Sequence, residues 1–142
     1  MDIQAAKKLV KELISRNTLC TLATASLQGK PEAATIEYGE DEGMNLFFET
    51  FLSYRKYLNL KSNPKASIVI TEVPHTIQMD GNVEELSGDE AEVAKQLLVK
   101  KHGEGSGFYS DPEIKFFKFT PNWIRVLVND KWPPKYVIIK GR

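Results

Sequence analysis

Residues 46–71 read LFFETFLSYRKYLNLKSNPKASIVIT, and this stretch carries two strands with a short helix between them. Apolar and β-branched residues predict the first strand over 45–50. Helical spacing of leucines and tyrosines predicts a helix over 52–62, which Pro64 ends because proline cannot continue the helical hydrogen bonds. The nearly continuous apolar run 66–71 predicts a strand that is buried on both faces.

The predicted helix lies in a segment with an unusual local excess of positive charge. Residues 51–65 include two lysines near their end and the pair Arg55-Lys56, with no acidic residue. This pair lies in the first turn of the predicted helix, where free backbone N–H groups and the positive end of the helix dipole also favour an anion. The arrangement suits a phosphate group. The alternative interpretation is a solvated basic helix face, which is common on protein surfaces.

Before this stretch, the spacing of apolar residues over 3–14 predicts an amphipathic helix, and residues 20–25 and 33–38 read as strands. Together with the strand over 45–50, we expect these two strands to form a three-stranded meander. After the stretch, alternation over 76–86 predicts a half-buried strand with a bulge or bend at Gly81.

The last third of the chain adds one helix and three strands. The sequence Ser87-Gly88-Asp89-Glu90 has the form of a capping box and predicts a helix that ends at His102-Gly103. Glycines and serines predict a mobile loop over 103–112. Strands are then predicted at both sides of a break at Pro121-Asn122, and a final strand follows Trp132-Pro133-Pro134; these three strands cover 114–120, 123–129 and 135–140.

These elements predict one domain over residues 1–142 of the mainly β (α+β) class. Seven or eight strands, three helices and no alternation of strand and helix indicate an antiparallel sheet curled into a small barrel with flanking helices.

Charge and composition exclude several classes of function. The chain has 142 residues and equal numbers of basic and acidic residues, 19 of each, so no global field attracts nucleic acid or an anionic membrane. Apolar runs are far shorter than the roughly 20 residues that span a bilayer. The first residues lack the features of a secretion signal, and a single cysteine, Cys20, agrees with a reducing cytoplasm.

Motifs for metal binding and hydrolysis are absent from the sequence. No zinc pattern, phosphate-binding loop, dinucleotide fingerprint or serine–histidine–acid order is present. His75 is predicted to be a turn residue and His102 a helix C-terminal residue, with a haem-ligand role left open. Cys20 is predicted to be a small core residue. Trp132 is predicted to anchor the last strand, and stacking on a flavin edge is the alternative.

The central segment resembles the pyridoxamine 5'-phosphate oxidase-related, FMN-binding split-barrel proteins. The resemblance rests on LFFET at 46–50, SYRK at 53–56 and LKSNPKASIVI at 60–70. The first hairpin, with TLAT at 21–24 and GKP at 29–31, and the strand IQMDGNVE at 77–84 are also similar to the family pattern.

This resemblance implies an antiparallel split barrel that binds FMN at the interface of a homodimer. It places the cofactor phosphate on Arg55 and Lys56, a cofactor contact on Thr50, and the strand over 33–38 along the flavin ring. The complete set of implied cofactor-binding residues is Arg55, Lys56, Thr50, Ser53, Tyr54, Glu49, Thr35 and Ile36.

The sequence departs from the true oxidases at two positions that they place against the cofactor and in the tail that carries their substrate motif. The family oxidases carry an arginine three residues after the hairpin proline and a lysine soon after, where this chain has Ala34 and Tyr38-Gly39, and the end of the chain has no histidine. We therefore expect a cytoplasmic flavin-dependent oxidoreductase that acts on another small molecule. A deazaflavin-dependent reductase and a non-enzymatic flavin or haem binder remain open, and no catalytic residue is assigned.

Overall fold

The protein consists of a β-sheet and three α-helices. A computed structural model describes residues 1–141, and residues 106–108 are described by their backbone alone. The helices are α1 (Ile3–Arg16), α2 (Arg55–Ser62) and α3 (Gly88–His102), and a short 3-10 helix covers Gly105–Ser110. The strands are β1 (Leu19–Ala25), β2 (Pro31–Glu37), β3 (Gly39–Glu40), β4 (Leu46–Phe51), β5 (Lys65–Glu72), β6 (His75–Glu85), β7 (Ile114–Asn129) and β8 (Lys135–Lys140).

All strand pairs are antiparallel, and the strand order closes on itself. The order is β2-β1-β5-β6-β7-β4-β3, with β8 paired to β7. The two ends of this path, β2 and β3, are separated in the chain by Tyr38 alone, so the same segment pairs with β1 at its start and with β4 at its end. The sheet therefore curls into a half-barrel, which confirms the predicted fold class.

The predicted meander of the first three strands is wrong. The first two do form a hairpin, in which Leu22 lies opposite Ala34. β4 instead pairs along its whole length with β7, where Phe48 lies opposite Phe117 and stacks on its ring at 5.3 Å between centroids. Burial of this aromatic pair in the core fixes one edge of β4 on the distant strand, whereas the other edge pairs with β3 only at Leu46 and Phe47.

The predicted break at Pro121-Asn122 is also wrong, whereas the predicted bulge at Gly81 is confirmed. β7 is one strand of 16 residues. Gly81 lies opposite Pro121 and Asp80 lies opposite Trp123, so Asn122 is the extra residue of a bulge. The absence of a side chain at Gly81 is required here, because a Cβ atom would lie 2.3 Å from the carbonyl oxygen of Thr120. The bulge accommodates the proline within the sheet.

Two clusters of buried side chains form the core. The larger cluster fills the barrel with residues of α1 and of most strands, and the smaller one lies between α3, β4 and β7. β5 alternates between buried and partly exposed residues, so the prediction of a strand buried on both faces is wrong. α3 begins after Ser87 as predicted, but the Ser87 side chain makes no capping hydrogen bond.

Tyr38 closes the barrel through a group of polar contacts that we call the Tyr38 node. The Tyr38 ring is fully buried, and its hydroxyl donates to the carbonyl oxygen of Ile14 at 2.7 Å. Lys101 of α3 donates to the same oxygen at 2.9 Å and to Glu40 Oε1 at 2.6 Å, and its ammonium lies 4.1 Å from the Tyr38 ring centroid. His102 contacts the Tyr38 carbonyl oxygen through Nε2 at 2.6 Å. The node ties α1, α3 and the β2–β3 segment together.

The structure contradicts one prediction for the irregular segments and adds a short helix to another segment. Trp132 does not anchor the last strand, because its side chain is 92% exposed. The segment 103–112, predicted to be a mobile loop, contains the 3-10 helix, and Tyr109 from that helix is buried in the smaller core cluster.

Candidate functional site

The half-barrel is open between β2 and β4, and we call this opening the split. β3 pairs only with Leu46 and Phe47 of β4, so residues 48–51 have no strand partner on that edge within the described chain. Among the strands that the structure describes, β2 pairs with β1 alone, so its other edge has no strand partner either. α2 begins four residues after β4, so its first turn lies where β4 ends.

The first turn of α2 is positively charged and uncapped. Tyr54 occupies the cap position without a side-chain hydrogen bond, and the first turn has no acidic residue. Arg55 is 74% exposed, and its Nη2 lies 3.6 Å from Glu32 Oε1 of β2. The ammonium of Lys56 lies 4.7 Å from the Tyr54 ring centroid. The helix therefore presents two cations and the positive end of its dipole to solvent beside the split.

Asn59, one turn into α2, fixes the helix against the first hairpin. Its side-chain amide donates to Thr24 Oγ1 at 3.1 Å and to Glu32 Oε2 at 3.4 Å. The sequence analysis missed both Asn59 and Glu32. Glu32 lies 23 residues before Arg55 in the chain, so no local pattern indicates that the two side chains meet.

A small groove of about 140 Å³ separates α2 from the hairpin between β1 and β2. Its lining includes Arg55, Lys30, Glu32, Asn59, Ser26 and Leu58. The volume is below that of ordinary small-molecule pockets, which are roughly 300–1,000 Å³. The groove can therefore hold a phosphate-sized group, but a larger ligand must extend along the split.

Thr50 supplies a buried hydroxyl with no internal partner. The residue is 1% exposed, and its Oγ1 has no hydrogen-bond partner among the residues that the structure describes. A buried polar atom without a partner costs about 1–3 kcal/mol, and such atoms are rare in folded proteins. This orphaned oxygen stands at the end of β4, next to the uncapped helix.

Glu49 precedes Thr50 and points to the opposite face of β4. Its side chain is half-buried, and burial raises the pKa of its carboxyl to about 7, with a smaller contribution from the charge of Glu37. The backbone N–H of Glu49 and the charge of Lys56 act in the other direction. At neutral pH this carboxyl is therefore divided between its neutral and charged forms.

The remaining predicted site residues line the same region. Thr35 faces solvent from β2, whereas Ile36 points into the core, so Ile36 can contact a ligand only through its backbone. Ser53 is exposed, and Tyr54 is 47% exposed with its ring 5.1 Å from that of Phe51. The structure thus places the predicted cofactor-binding residues around one opening, on β2, on β4 and at the start of α2.

The histidines and the cysteine lie outside the split. Cys20 is buried as predicted. His75 begins β6, and its Nδ1 lies 3.0 Å from the Leu127 carbonyl oxygen. His102 ends α3 as predicted, but both ring nitrogens are in contact with oxygens of the β2 end, at 2.6 Å from Tyr38 O and 2.7 Å from Glu37 Oε2. Among the described residues, no group of three or more histidine, cysteine, aspartate or glutamate side chains could hold a metal ion.

The observed groups fit FMN. A phosphate group needs cations and N–H donors, which the first turn of α2 provides. A flavin ring carries amide-like donors and acceptors that can bind a free strand edge, which β2 provides. The orphaned Thr50 hydroxyl also indicates a hydrogen-bonding partner from outside the chain.

The comparisons with known proteins agree on the fold. The pyridoxamine 5'-phosphate oxidase family model matches residues 6–127. A pyridoxine/pyridoxamine 5'-phosphate oxidase of Thermosynechococcus vestitus is 34% identical over 74 residues, which cover 51% of this chain and 35% of that protein. This chain thus aligns with about a third of that relative's length.

Two solved structures show how widely this fold is used. A haem-binding protein of Mycobacterium smegmatis has a TM-score of 0.83 at 19% identity, with 96% of this chain and 58% of that one covered. A pyridoxamine 5'-phosphate oxidase-related, FMN-binding protein of Nostoc punctiforme has a TM-score of 0.73 at 16% identity, with 100% and 94% covered. The chain belongs to the pyridoxamine 5'-phosphate oxidase family.

Proposed function

We propose that the protein is a homodimeric, cytoplasmic flavoprotein that binds FMN in the split and uses it as an oxidoreductase on a small molecule. The observation that carries the proposal is the uncapped, doubly cationic first turn of α2 beside the orphaned hydroxyl of Thr50. Family membership and the fold shared with an FMN-binding protein support it.

In this proposal Arg55 and Lys56 bind the phosphate of FMN. Arg55 is mostly exposed and its contact with Glu32 is long, at 3.6 Å, so its guanidinium can turn to a phosphate without breaking a strong ion pair. Each charge-assisted hydrogen bond to phosphate contributes about 1.5–3 kcal/mol. Ser53 and Tyr54 supply neighbouring hydroxyls.

The flavin ring would lie along β2, where Thr35 faces outward and the backbone edge is free. Bound FMN supplies the electron-transfer chemistry, so the chain needs to position the ring and control its surroundings rather than provide an acid–base pair of its own. Glu49 and Thr50 would border the ring or the ribityl chain from β4.

A second copy of the chain would cover the outer face of the sheet. This face, on β1 and β5–β8, carries apolar side chains that remain exposed or half-exposed, and Tyr136 and Ile138 are 47% and 45% exposed. Residues that are paired across neighbouring strands point to the same face of the sheet, so this face extends over several strands. Its apolar members are Leu19, Ala23, Val69, Trp123, Leu127, Tyr136 and Ile138. An exposed apolar surface of this kind is typical of a subunit interface. Sedimentation should give about twice the mass of 16.1 kDa, and a monomer at micromolar concentration would contradict the dimer.

Oxidation of pyridoxamine 5'-phosphate is not the proposed reaction. At the positions where the family oxidases carry an arginine and a lysine, Ala34 packs against the core and Tyr38 is buried in its node. Gly39 lies so close to α3 that a Cβ atom would be 3.2 Å from the backbone of Leu97. No cation can extend into the split from these positions, so a second phosphate on the substrate has no partner there.

The absorption spectrum of the purified protein separates FMN from the alternatives. A flavin band is expected, whereas a Soret band would favour the haem binding known for the Mycobacterium smegmatis relative in fold. Both ring nitrogens of His102 are occupied, which makes this residue a poor haem ligand. A deazaflavin has its own spectrum, and turnover with reduced nicotinamide distinguishes an enzyme from a carrier.

The decisive test of the phosphate assignment is an FMN titration by fluorescence quenching with the double variant Arg55→Ala, Lys56→Ala. Loss of two charge-assisted contacts should weaken binding by ~100-fold or more in a protein that remains folded. Lys61→Ala with Lys65→Ala is the matched control, because it removes the same charge at the other end of the segment and should change the affinity little. An unchanged affinity in the first variant would refute the assignment.

A further inference from the structure

Glu49 is placed where a titrating carboxyl can act on a ligand in the split. It lies on the stretch of β4 that β3 leaves unpaired, two residues beyond the last β3 contact at Phe47. Its side chain shares a face of the strand with Phe47 and Phe51 and is half-buried, so it is removed from bulk water without being sealed in the core. Within the described chain, no lysine, arginine or histidine nitrogen lies within 4 Å of this carboxyl, a distance at which a permanent ion pair would form.

Charged and titratable groups face Glu49 from each neighbouring element. They are Glu37 at the end of β2, Lys56 in α2, Tyr109 in the 3-10 helix and Lys118 in β7. Lys118 lies on the same face of β7 as Phe116, the ladder partner of Glu49. Glu37 and Lys56 act in opposite directions on Glu49, and the charges of Glu49 and Glu37 both act on the Tyr109 hydroxyl. These mutual effects show that Glu49, Glu37, Lys56 and Tyr109 lie near one another.

Burial brings the pKa of Glu49 to about 7, so this carboxyl can change its charge near neutral pH. Glu37 Oε2 contacts His102 Nδ1 at 2.7 Å. Burial raises the pKa of Tyr109 to about 12, so its hydroxyl stays neutral.

We propose that Glu49 is the proton-exchanging residue of the split and takes up a proton when a cofactor bound there is reduced. The inference rests on the proposed function. A reduced nicotinamide would supply a hydride, which is two electrons and one proton, to a flavin bound there, so reduction would add one negative charge to the site. The Glu49 carboxylate then accepts one proton from water, which restores the charge of the site, and releases it when the cofactor passes its electrons to the substrate.

The redox-linked proton uptake of the FMN-loaded protein tests this role without an activity assay. The protein is photoreduced in weakly buffered solution at pH 7.5, and an indicator dye reports the protons taken up per flavin. We expect the Glu49→Gln variant to take up fewer protons than the wild type, by as much as about one. The neutral amide mimics the protonated acid, so this variant should fold and bind FMN.

Two further variants complete the experiment. Glu84→Gln removes an exposed carboxyl from β6 and should leave the uptake unchanged. Glu37→Gln removes a like charge and should shift the pH at which the extra proton appears to a lower value. Equal proton uptake in wild type and Glu49→Gln, with FMN bound to both, overturns this inference and leaves the proposed function standing. Failure of the wild type to bind FMN overturns both.

Discussion

The Tyr38 node and the split differ in how their polar groups are satisfied. At the Tyr38 node, a hydroxyl, an ammonium, an imidazole and a carboxylate all have partners within 3 Å. At the split, among the residues that the structure describes, Thr50 Oγ1 has no partner, the first turn of α2 has no side-chain cap, and Glu49 has no cation within 4 Å.

This difference separates structural polar groups from binding ones. Polar groups that serve folding are paired within the chain, because burial without a partner costs free energy. Polar groups are paired in this way at the node, whereas the groups on β4 and at the start of α2, beside the split, lack such partners within the described chain. The unpaired groups therefore indicate a ligand site. Substitution of the paired groups should lower the stability of the protein without a direct effect on ligand binding.

The largest expected effect comes from breaking the node. Lys101→Met removes a nearly buried ammonium and leaves Glu40 and the Ile14 carbonyl short of a partner. We expect the free energy of unfolding, measured by urea denaturation, to fall by about 3 kcal/mol. The reason is that the remaining charge of a buried pair stays desolvated without a partner that compensates the cost. Lys100→Met, at the exposed neighbouring position, should lose less than about 0.5 kcal/mol. Equal losses in the two variants would contradict the node.

An intermediate effect of opposite sign is expected at Glu49. The pKa of this carboxyl rises from its ordinary 4.5 to about 7 in the folded protein. The folded state thus binds the proton more tightly than the unfolded chain, and stability falls as the pH rises from about 4.5 to about 7. Glu49→Gln should therefore be more stable than the wild type by ~1–2 kcal/mol at pH 8, after allowance for solvent screening of a half-buried group. The two proteins should have equal stability at pH 4, and a pH-independent difference would exclude this cause.

The smallest effect on stability is expected at Thr50. Thr50→Val replaces the unpaired hydroxyl with a methyl group of similar size, so the cofactor-free protein should gain about 1 kcal/mol. The same change should weaken FMN binding several-fold, because it removes a partner for the cofactor. Thr24→Val is the contrasting variant, since Thr24 Oγ1 accepts a hydrogen bond from Asn59 and its loss should destabilise the protein. A Thr50 variant that loses stability would show that the hydroxyl is satisfied internally.

Local patterns predicted most elements of the fold. The helices, the hairpin of β1 and β2, and the bulge at Gly81 follow from spacing, turn residues and the need for a residue without a side chain. The first turn of α2, with Arg55 and Lys56, was also placed correctly. These features depend on residues that are close in sequence.

Long-range pairings could not be predicted in the same way. β4 pairs with β7 because Phe48 and Phe117 share the core, although they are 69 residues apart in the sequence. Strand spacing alone favours the neighbouring hairpin. The Tyr38 node likewise joins residues 14, 38 and 101, and nothing near any one of them indicates the others. Trp132 was expected to be buried, as large aromatics usually are, but its loop extends away from the core.

Hydrogen exchange with and without FMN tests the central claim most directly, because it compares the node and the split in one measurement. Saturating FMN should slow exchange of the amides of β2 and of the first turn of α2, where the ligand would occupy a free strand edge and uncapped N–H groups. The amides of residues 38–40 and of the end of α3, which are already held by the node, should be unchanged. Protection confined to the node, or absent from the start of α2, would contradict the assignment of the split as the cofactor site.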